Sequence, residues 1–189
     1  MFPLFETIAI ENGKPKNIEY HQARYERSLR AMYGKRVEQI HQLEWLIYPP
    51  PEMREGLVRC RIEYNNENCR VRYFRYHKRK IKTFKPVVCN TIDYALKYAG
   101  RTMLDELMKS KDDCDEIIII KNGKVTDCSI GNLIFRLGDT WYTPDTPLLR
   151  GTQREFLLDQ GKIVEREILA EEIDDFEEIR LINALNGLD

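Results

Sequence analysis

No stretch of this sequence is apolar for long enough to span a bilayer, and its first twenty residues lack the pattern of a signal peptide. Both absences point to a soluble, cytoplasmic protein with no membrane partner. Cysteine is sparse and irregular: Cys60, Cys69, Cys89, Cys114 and Cys128 make an odd number without a CxxC pair. That argues against a zinc cluster or a disulfide framework and suits reduced thiols. The three histidines, His21, His41 and His77, are too scattered for a metal site or a nucleophile triad. Charge of one sign is also missing. Thirty basic residues face thirty-one acidic ones, a net charge of −1, so there is no global attraction to nucleic acid or to an anionic surface. There is no internal repeat and no low-complexity segment. What is present is 189 residues, 42% apolar and 32% charged, enough for one large domain or two small ones.

The hydrophobic period changes along the chain. Residues 4–10 (LFETIAI) are β-prone, and ENGKP at 11–15 carries turn chemistry, so a hairpin is expected. From His21 to Tyr33, Tyr25, Leu29, Met32 and Tyr33 fall at helical spacing, and Gly34 ends the run. Val37, Ile40, Leu43 and Ile47 predict a second helix, stopped by Pro49, Pro50 and Pro51. Then the period drops to two. Val58, Cys60, Ile62 and Tyr64 alternate with Arg59, Arg61 and Glu63, and after a turn Cys69, Val71 and Tyr73 alternate with Arg70 and Arg72. This predicts an antiparallel hairpin with one buried face, with residues 81–89 as a third strand of its sheet. Residues 91–99 read as irregular. A helix is expected around 101–110 with Met103, Leu104, Leu107 and Met108 inward. EIIIIKNGKVTD at 116–127 is a strand, an Asn-Gly turn and a return strand. Strands are expected at 133–135, 141–143 and 179–182, and a helix at 152–160. A composition shift near residue 90 suggests two lobes, 1–90 and 91–189.

Five segments, FETIAIENGKPKNIEYHQAR, DYALKYAGR, DEIIIIKNGKVTDCSIGNLIF, LLRGTQRE and INALNG, occur in the order in which class-IV aminotransferases carry their motifs. Each alone is weak; together they cover nearly the whole chain, from Phe5 to Gly187. The chain resembles that family, and within it 4-amino-4-deoxychorismate lyase most. The resemblance implies the two-lobed α+β fold of pyridoxal-phosphate fold-type IV, like that of D-amino acid aminotransferase. It implies an N-terminal α/β lobe, a β-rich C-terminal lobe, and pyridoxal 5'-phosphate between them. It also implies a homodimer.

Lys97, in DYALKYAGR, lies where the family carries its Schiff-base lysine. That chemistry needs an amine that can be neutral near pH 7, and apolar neighbours with Arg101 nearby favour it. A lone lysine would read as a solvated surface residue; the motif order reverses those odds. Asp127 stands where the family has Glu, whose carboxylate pairs with the pyridinium nitrogen and keeps the ring an electron sink. Asp is one methylene shorter. Either the strand comes closer, a water bridges, or the sink is weaker. Without the flanking pattern it reads as an ordinary strand-end Asp. Arg24, in HQAR, matches the phosphate arginine; its bland reading is an exposed helix residue beside Arg27 and Arg30. Thr152 and Gln153 open a helix after Gly151, with backbone N–H groups suited to a phosphate. Asn183 and Ala184 are expected to add a further N–H. Gly151 permits close backbone approach, or is a simple turn. Leu149 matches the residue that packs on the cofactor ring, or is plain core. Tyr98 and Arg101 are candidate neighbours.

Arg59, Arg61, Arg70, Arg72 and Arg75, followed by HKRK at 77–80, give one face of the hairpin a positive stripe. A solvated strand face is the commonest meaning of such a stripe. An anion site for a dicarboxylate and an RNA-binding sheet are the functional ones, and the near-neutral total charge argues against nucleic acid. The chain enters FET almost at once, without the Arg-Gly and Tyr-Gly-Asp-Gly segment that usually lines the family's site. A more open substrate pocket is therefore expected.

The function expected from the resemblance is elimination of pyruvate from 4-amino-4-deoxychorismate to give 4-aminobenzoate, a step of folate synthesis. Transamination of branched-chain or D-amino acids is the first alternative; the Asn183-Ala184-Leu185 ending favours the lyase. A degenerate non-enzymatic relative, or an anion-binding module using the basic hairpin, is the second.

Overall fold

A computed structural model describes residues 1–188. The chain divides into two compact units. One comprises Met1–Lys78 with Leu96–Gly100, the other Arg79–Ala95 with Arg101–Asp189. Residues 79–90, expected in the first lobe, thus fall in the second unit, and Leu96–Gly100 returns to the first.

The first unit is a four-stranded antiparallel sheet with one long helix. Strand β1 (Leu4–Glu11) turns through Asn12 and Gly13, both at positive φ, into the short β2 (Lys14–Pro15). Helix α1 (Ile18–Tyr33) follows, and Gly34 at φ 57° ends it as expected. Strands β3 (Leu57–Tyr64) and β4 (Cys69–Arg75) complete the order β2-β1-β3-β4. Side chains alternate across a strand. Leu4, Ile8 and Ile10 of β1 and Val58, Cys60, Ile62 and Tyr64 of β3 therefore share one face. There they pack with Tyr25 and Leu29 of α1 in a single core. Tyr25 and Tyr64 meet edge to face at 4.7 Å. The expected buried face of the hairpin is borne out.

The second helix expected near Val37–Ile47 does not form. Only a 3-10 turn at Leu43–Leu46 is present; Leu43 and Ile47 are buried, while Ile40 is exposed. The cause is local competition for backbone groups. Gln22 Oε1 accepts the Leu43 N–H at 2.8 Å, Gln22 Nε2 donates to the His41 carbonyl at 3.0 Å, and the His41 N–H donates to Tyr25 Oη at 3.3 Å. Side chains of α1 take the partners that a helix would have used.

The second unit begins with β5 (Phe84–Val88), followed by α2 (Thr102–Met108), β6 (Glu116–Lys121) and β7 (Lys124–Val125). β5 is not a third strand of the first sheet. It pairs parallel with β6 in the order β5-β6-β7. As an edge strand it accommodates Pro86, which lacks an N–H. The Asn122-Gly123 turn has both residues at positive φ, as a two-residue type I′ hairpin requires. Leu104 of α2 is buried against Ile117 and Ile119, but Met103 points outward at 47% exposure, against expectation. Strands β8 (Asn132–Leu137) and β9 (Thr140–Pro144), helix α3 (Thr152–Asp159), β10 (Val164–Arg166) and β11 (Glu178–Ile182) follow. Their sheet has the order β10-β9-β8-β11. β10, mostly polar and three residues long, carries no period that a sequence reading could find. Leu133 and Phe135 of β8 point into one core, and Ile134 into another with Leu157 of α3 and Ile182 of β11.

Ile62 is fully buried in the first core. Ile62→Ala should lower unfolding free energy by about 2–5 kcal/mol, the usual cost of such a cavity. Urea titration followed by circular dichroism checks this; a loss below half a kcal/mol would place Ile62 outside a close-packed core.

Candidate active site

In the first unit, Glu6 occupies an inward position of β1 and is fully buried. A lone carboxylate there would be costly. α1 answers it with His21 and Arg24, three residues apart on one helix face. Arg24 donates from Nε to Glu6 Oε1 at 2.9 Å and from Nη2 to Oε2 at 2.5 Å, and His21 Nδ1 donates to Oε2 at 2.7 Å. Burial pushes the Glu6 carboxyl up, but the Arg24 charge and the bonds from His21 and Arg24 outweigh it and hold it down at about 2. Burial lowers the His21 pKa against the opposing pull of Glu6, so His21 is neutral at pH 7 and donates from Nδ1. Arg24 is therefore buried with its fork fixed by Glu6, not exposed beside Arg27 and Arg30.

Lys97 belongs to this same unit. The Phe5 N–H donates to the Lys97 carbonyl at 3.1 Å, the Ala99 N–H donates to the Pro3 carbonyl at 2.8 Å, and Leu4 bridges Tyr98. The segment is pinned along the start of β1. The side chain is half-buried, with Nζ 4.9 Å from the centre of the Phe5 ring. Two lysines of the second unit, Lys85 and Lys121, are engaged by other groups. Lys85 pairs with Asp112, and Lys121 donates to the Ile92 carbonyl.

In the second unit, Asp127 lies just beyond the β6–β7 hairpin and is 4% exposed. Asn132 Nδ2 donates to its Oδ1 at 2.7 Å, and the Leu149 N–H donates to its Oδ2 at 2.9 Å. Asn132 Nδ2 also reaches the Leu149 carbonyl at 2.9 Å. Burial pushes the Asp127 pKa up to about 7, against the pull of these two donors and of the Arg154 charge. The donors do not fully offset the burial of the carboxylate, and a cationic N–H donor such as a protonated pyridine nitrogen would favour its ionised form. Gly151 is required at its position. A Cβ there would overlap Asn132 Oδ1. Gly131 is constrained in the same way by the Ile182 carbonyl. Asp127, Asn132, Leu149 and Gly151 thus form one cluster, and Thr152 and Gln153 start α3 directly behind Gly151, which offers no side-chain cap. A helix start without a side-chain cap suits an anion.

Asn183 and Ala184 sit in the turn after β11. The Asn183 N–H donates to the Asn186 carbonyl at 2.9 Å, so it is spent within the turn; of the expected pair, Ala184 is the one whose N–H has no acceptor among the described residues. Arg101 donates to the Ser129 carbonyl at 3.0 Å, and buried Glu116 accepts from Ser129 Oγ at 2.8 Å. These bonds hold the loop beside Asp127. Among the described residues no group of His, Cys, Asp and Glu could hold a metal ion, and no helix is long and apolar enough to cross a membrane.

Residues 94–188 match the family model for amino-transferase class IV. The chain belongs to that family. An uncharacterized protein of Haemophilus influenzae is 58% identical over 188 residues, with both chains fully covered. A crystal structure from Haemophilus somnus, provisionally named a 4-amino-4-deoxychorismate lyase, is 55% identical with a TM-score of 0.94, covering 100% of this chain and 98% of that one. A hypothetical aminotransferase from Mycobacterium tuberculosis, in a form with α-ketoglutarate and pyridoxamine phosphate bound, shares the fold at 15% identity and a TM-score of 0.76. It is covered over 78% of its length, and this chain over 97%. The α+β architecture is that of fold-type IV aminotransferases, and members of this class-IV family are enzymes that normally use pyridoxal phosphate. Each unit by itself carries groups that fit such a cofactor: a fixed buried guanidinium in the first, and in the second an under-compensated buried carboxyl and a helix start behind a glycine.

Sequence reading missed Glu6 and Asn132. The signal for Glu6 was available, since a charge at an inward position of an apolar strand demands a partner. Asn132 gave no such signal, because its role depends on the loop that carries Leu149.

A raised carboxyl pKa costs stability as pH rises. Below about 3.8 both folded and unfolded states carry the Asp127 proton; between there and about 7 only the folded state keeps it. Unfolding free energy should therefore fall across pH 4–7 by up to about 4 kcal/mol more in the wild type than in Asp127→Asn. Urea titrations at four pH values check the difference in slope; parallel profiles would show Asp127 ionised throughout.

Proposed function

We propose that this class-IV enzyme is a pyridoxal-phosphate-dependent lyase that releases pyruvate from 4-amino-4-deoxychorismate to give 4-aminobenzoate, a step of folate synthesis. The observation that carries the reading is the likeness, over the whole chain, to the Haemophilus somnus structure provisionally named for that activity. The donor geometry supports it. Lys97 would hold the cofactor aldehyde carbon and then move a proton from Nζ. In the first unit Arg24, with its fork set by Glu6, would be a phosphate ligand; in the second the N–H groups of Thr152, Gln153 and Ala184 would be phosphate donors, while Gly151 keeps the approach open and Asn183 shapes the turn. Leu149 would pack on the ring. Asp127 would face the ring nitrogen, with Asn132 and the Leu149 N–H fixing its carboxyl. When bound, pyridoxal phosphate supplies an electron sink for the carbanion formed next to the amine.

Elimination that yields an aromatic ring supplies part of its own driving force, so it tolerates a shorter carboxylate better than transamination does. The purified protein should form 4-aminobenzoate from 4-amino-4-deoxychorismate in a coupled assay, with transamination of branched-chain or D-amino acids much slower. Lys97→Ala should abolish the reaction, and borohydride reduction should leave the pyridoxyl label on Lys97. Efficient transamination with no 4-aminobenzoate, or a label on Lys85 or Lys121, would overturn the reading.

The family is typically dimeric, and we extend this to the present chain as a homodimer. Sedimentation should give about twice the chain mass of 22.5 kDa; a monomer that binds cofactor and turns over would contradict it.

A further inference from the structure

The second face of the β1-β3-β4 sheet is not an ordinary solvated strand surface. Strand register sets three cross-strand rows on it. Phe5, Glu63 and Arg70 form the first, Thr7, Arg61 and Arg72 the second, and Ala9, Arg59 and Phe74 the third. Four guanidinium groups thus share a face with one carboxylate. Glu63 is almost saturated: Arg61 Nε donates to Oε1 at 3.1 Å, Arg70 donates to Oε2 from Nε at 2.9 Å and from Nη2 at 2.6 Å, and Arg72 Nη2 donates to Oε2 at 2.9 Å. Burial raises the Glu63 carboxyl, but the bonds from Arg70 and Arg61 prevail and keep it ionised.

Arg59 is different. It has no hydrogen bond or ion pair among the described residues, its Nε is buried without a partner, and its Cζ lies 4.6 Å from the centre of the Phe74 ring. A buried guanidinium N–H without a protein acceptor is costly, so a water, an ion or a ligand has to supply one. Arg61 lies next to it along β3 on the same face and stacks on Phe5 with Cζ 3.8 Å from the ring centre. Lys97 Nζ approaches that same ring at 4.9 Å. Arg61 and Lys97 are therefore within one small molecule's length of each other. The strand beside both arginines presents only the short side chains of Thr7 and Ala9.

We propose that Arg59 and Arg61 are the carboxylate-binding residues of the substrate site, and that they select a dianionic amine over a monoanionic one. This rests on the reading of Lys97 as the residue that would hold the cofactor aldehyde carbon, where the substrate amine takes its place. Arg61, already in contact with Glu63, takes one carboxylate while keeping its orientation. Arg59, unpaired, takes a second. The planar fork of each matches a carboxylate by two parallel N–H donors. Arg70 and Arg72, held by Glu63, keep the face positive without moving toward the ligand.

The test is calorimetric titration of the full chain with benzene-1,3-dicarboxylate and with benzoate, which needs no turnover. The wild type should bind the dicarboxylate at least about tenfold more tightly than benzoate. Arg59→Met should reduce dicarboxylate binding to the benzoate level, Arg59→Lys should restore part of it, and Arg79→Met, outside this face, should change nothing. Circular dichroism melts of each variant establish that it is folded; if Arg59→Met does not fold, Arg59→Lys is read alone and should still bind more weakly than wild type. Equal binding of the two acids by the wild type, no binding of either, or wild-type dicarboxylate affinity in a folded Arg59 variant overturns the proposal. If dicarboxylate binding depends on Arg59 while no 4-aminobenzoate is formed, the assignment of the reaction falls and the carboxylate site stands.

Discussion

Alternation of side chains across β1 and β3 is the constraint on which the first unit depends. Even-numbered residues of both strands face α1, and all of them except Glu6 are apolar or the largely apolar Tyr64 and Cys60. The exception has consequences well beyond one residue. A carboxylate at an inward position has to be neutralised, and only α1 can reach it. His21 and Arg24 therefore face the strand, which fixes the rotation of the helix about its axis and places Tyr25 and Leu29 in the core beside them. The same alternation sends every arginine of β3 to the opposite face. Core formation and the gathering of cationic groups near Lys97 are two results of one period.

The second unit solves a related problem differently. Asp127 has no cation hydrogen-bonded to it. Its oxygens are held by an amide side chain and a backbone N–H, and the nearby Arg154 acts through space while its own Nη2 bonds the Pro144 carbonyl and Glu165. The result is a carboxyl poised near neutrality in place of a firmly ionised one. Glu6 and Asp127 are both buried, yet they sit on opposite sides of the ordinary carboxylate range. The difference follows from their partners: two charge-assisted bonds from a guanidinium against two bonds from neutral donors. A group with Glu6's chemistry organises structure, and one with Asp127's chemistry is suited to meet a further donor.

The glycines in the second unit show how tightly that poise is kept. Gly151 and Gly131 leave no room for a methyl group, one against Asn132 and the other against the Ile182 carbonyl. Asn132 is thereby held between β8 and the segment carrying Leu149, and Asp127 inherits its orientation.

Much of this was determined by the sequence by itself. Period-two alternation set β3 and β4 and their buried face, helical spacing with Gly34 set α1, and Asn122-Gly123 set the hairpin, because each depends on residues adjacent in the chain. The order of the five motifs carried the family. Tertiary structure decided the rest. Whether 37–47 forms a helix was settled by Gln22 and Tyr25, which take its backbone partners from a distance. The sheet that β5 joins was settled by β6, about thirty residues later. That Arg24 is clamped by Glu6, that Arg59 is left without an acceptor, and that Asp127 titrates near neutrality are equally invisible in the sequence. Which acceptor a guanidinium meets, and how much water remains around a carboxyl, depend on groups that only folding brings near.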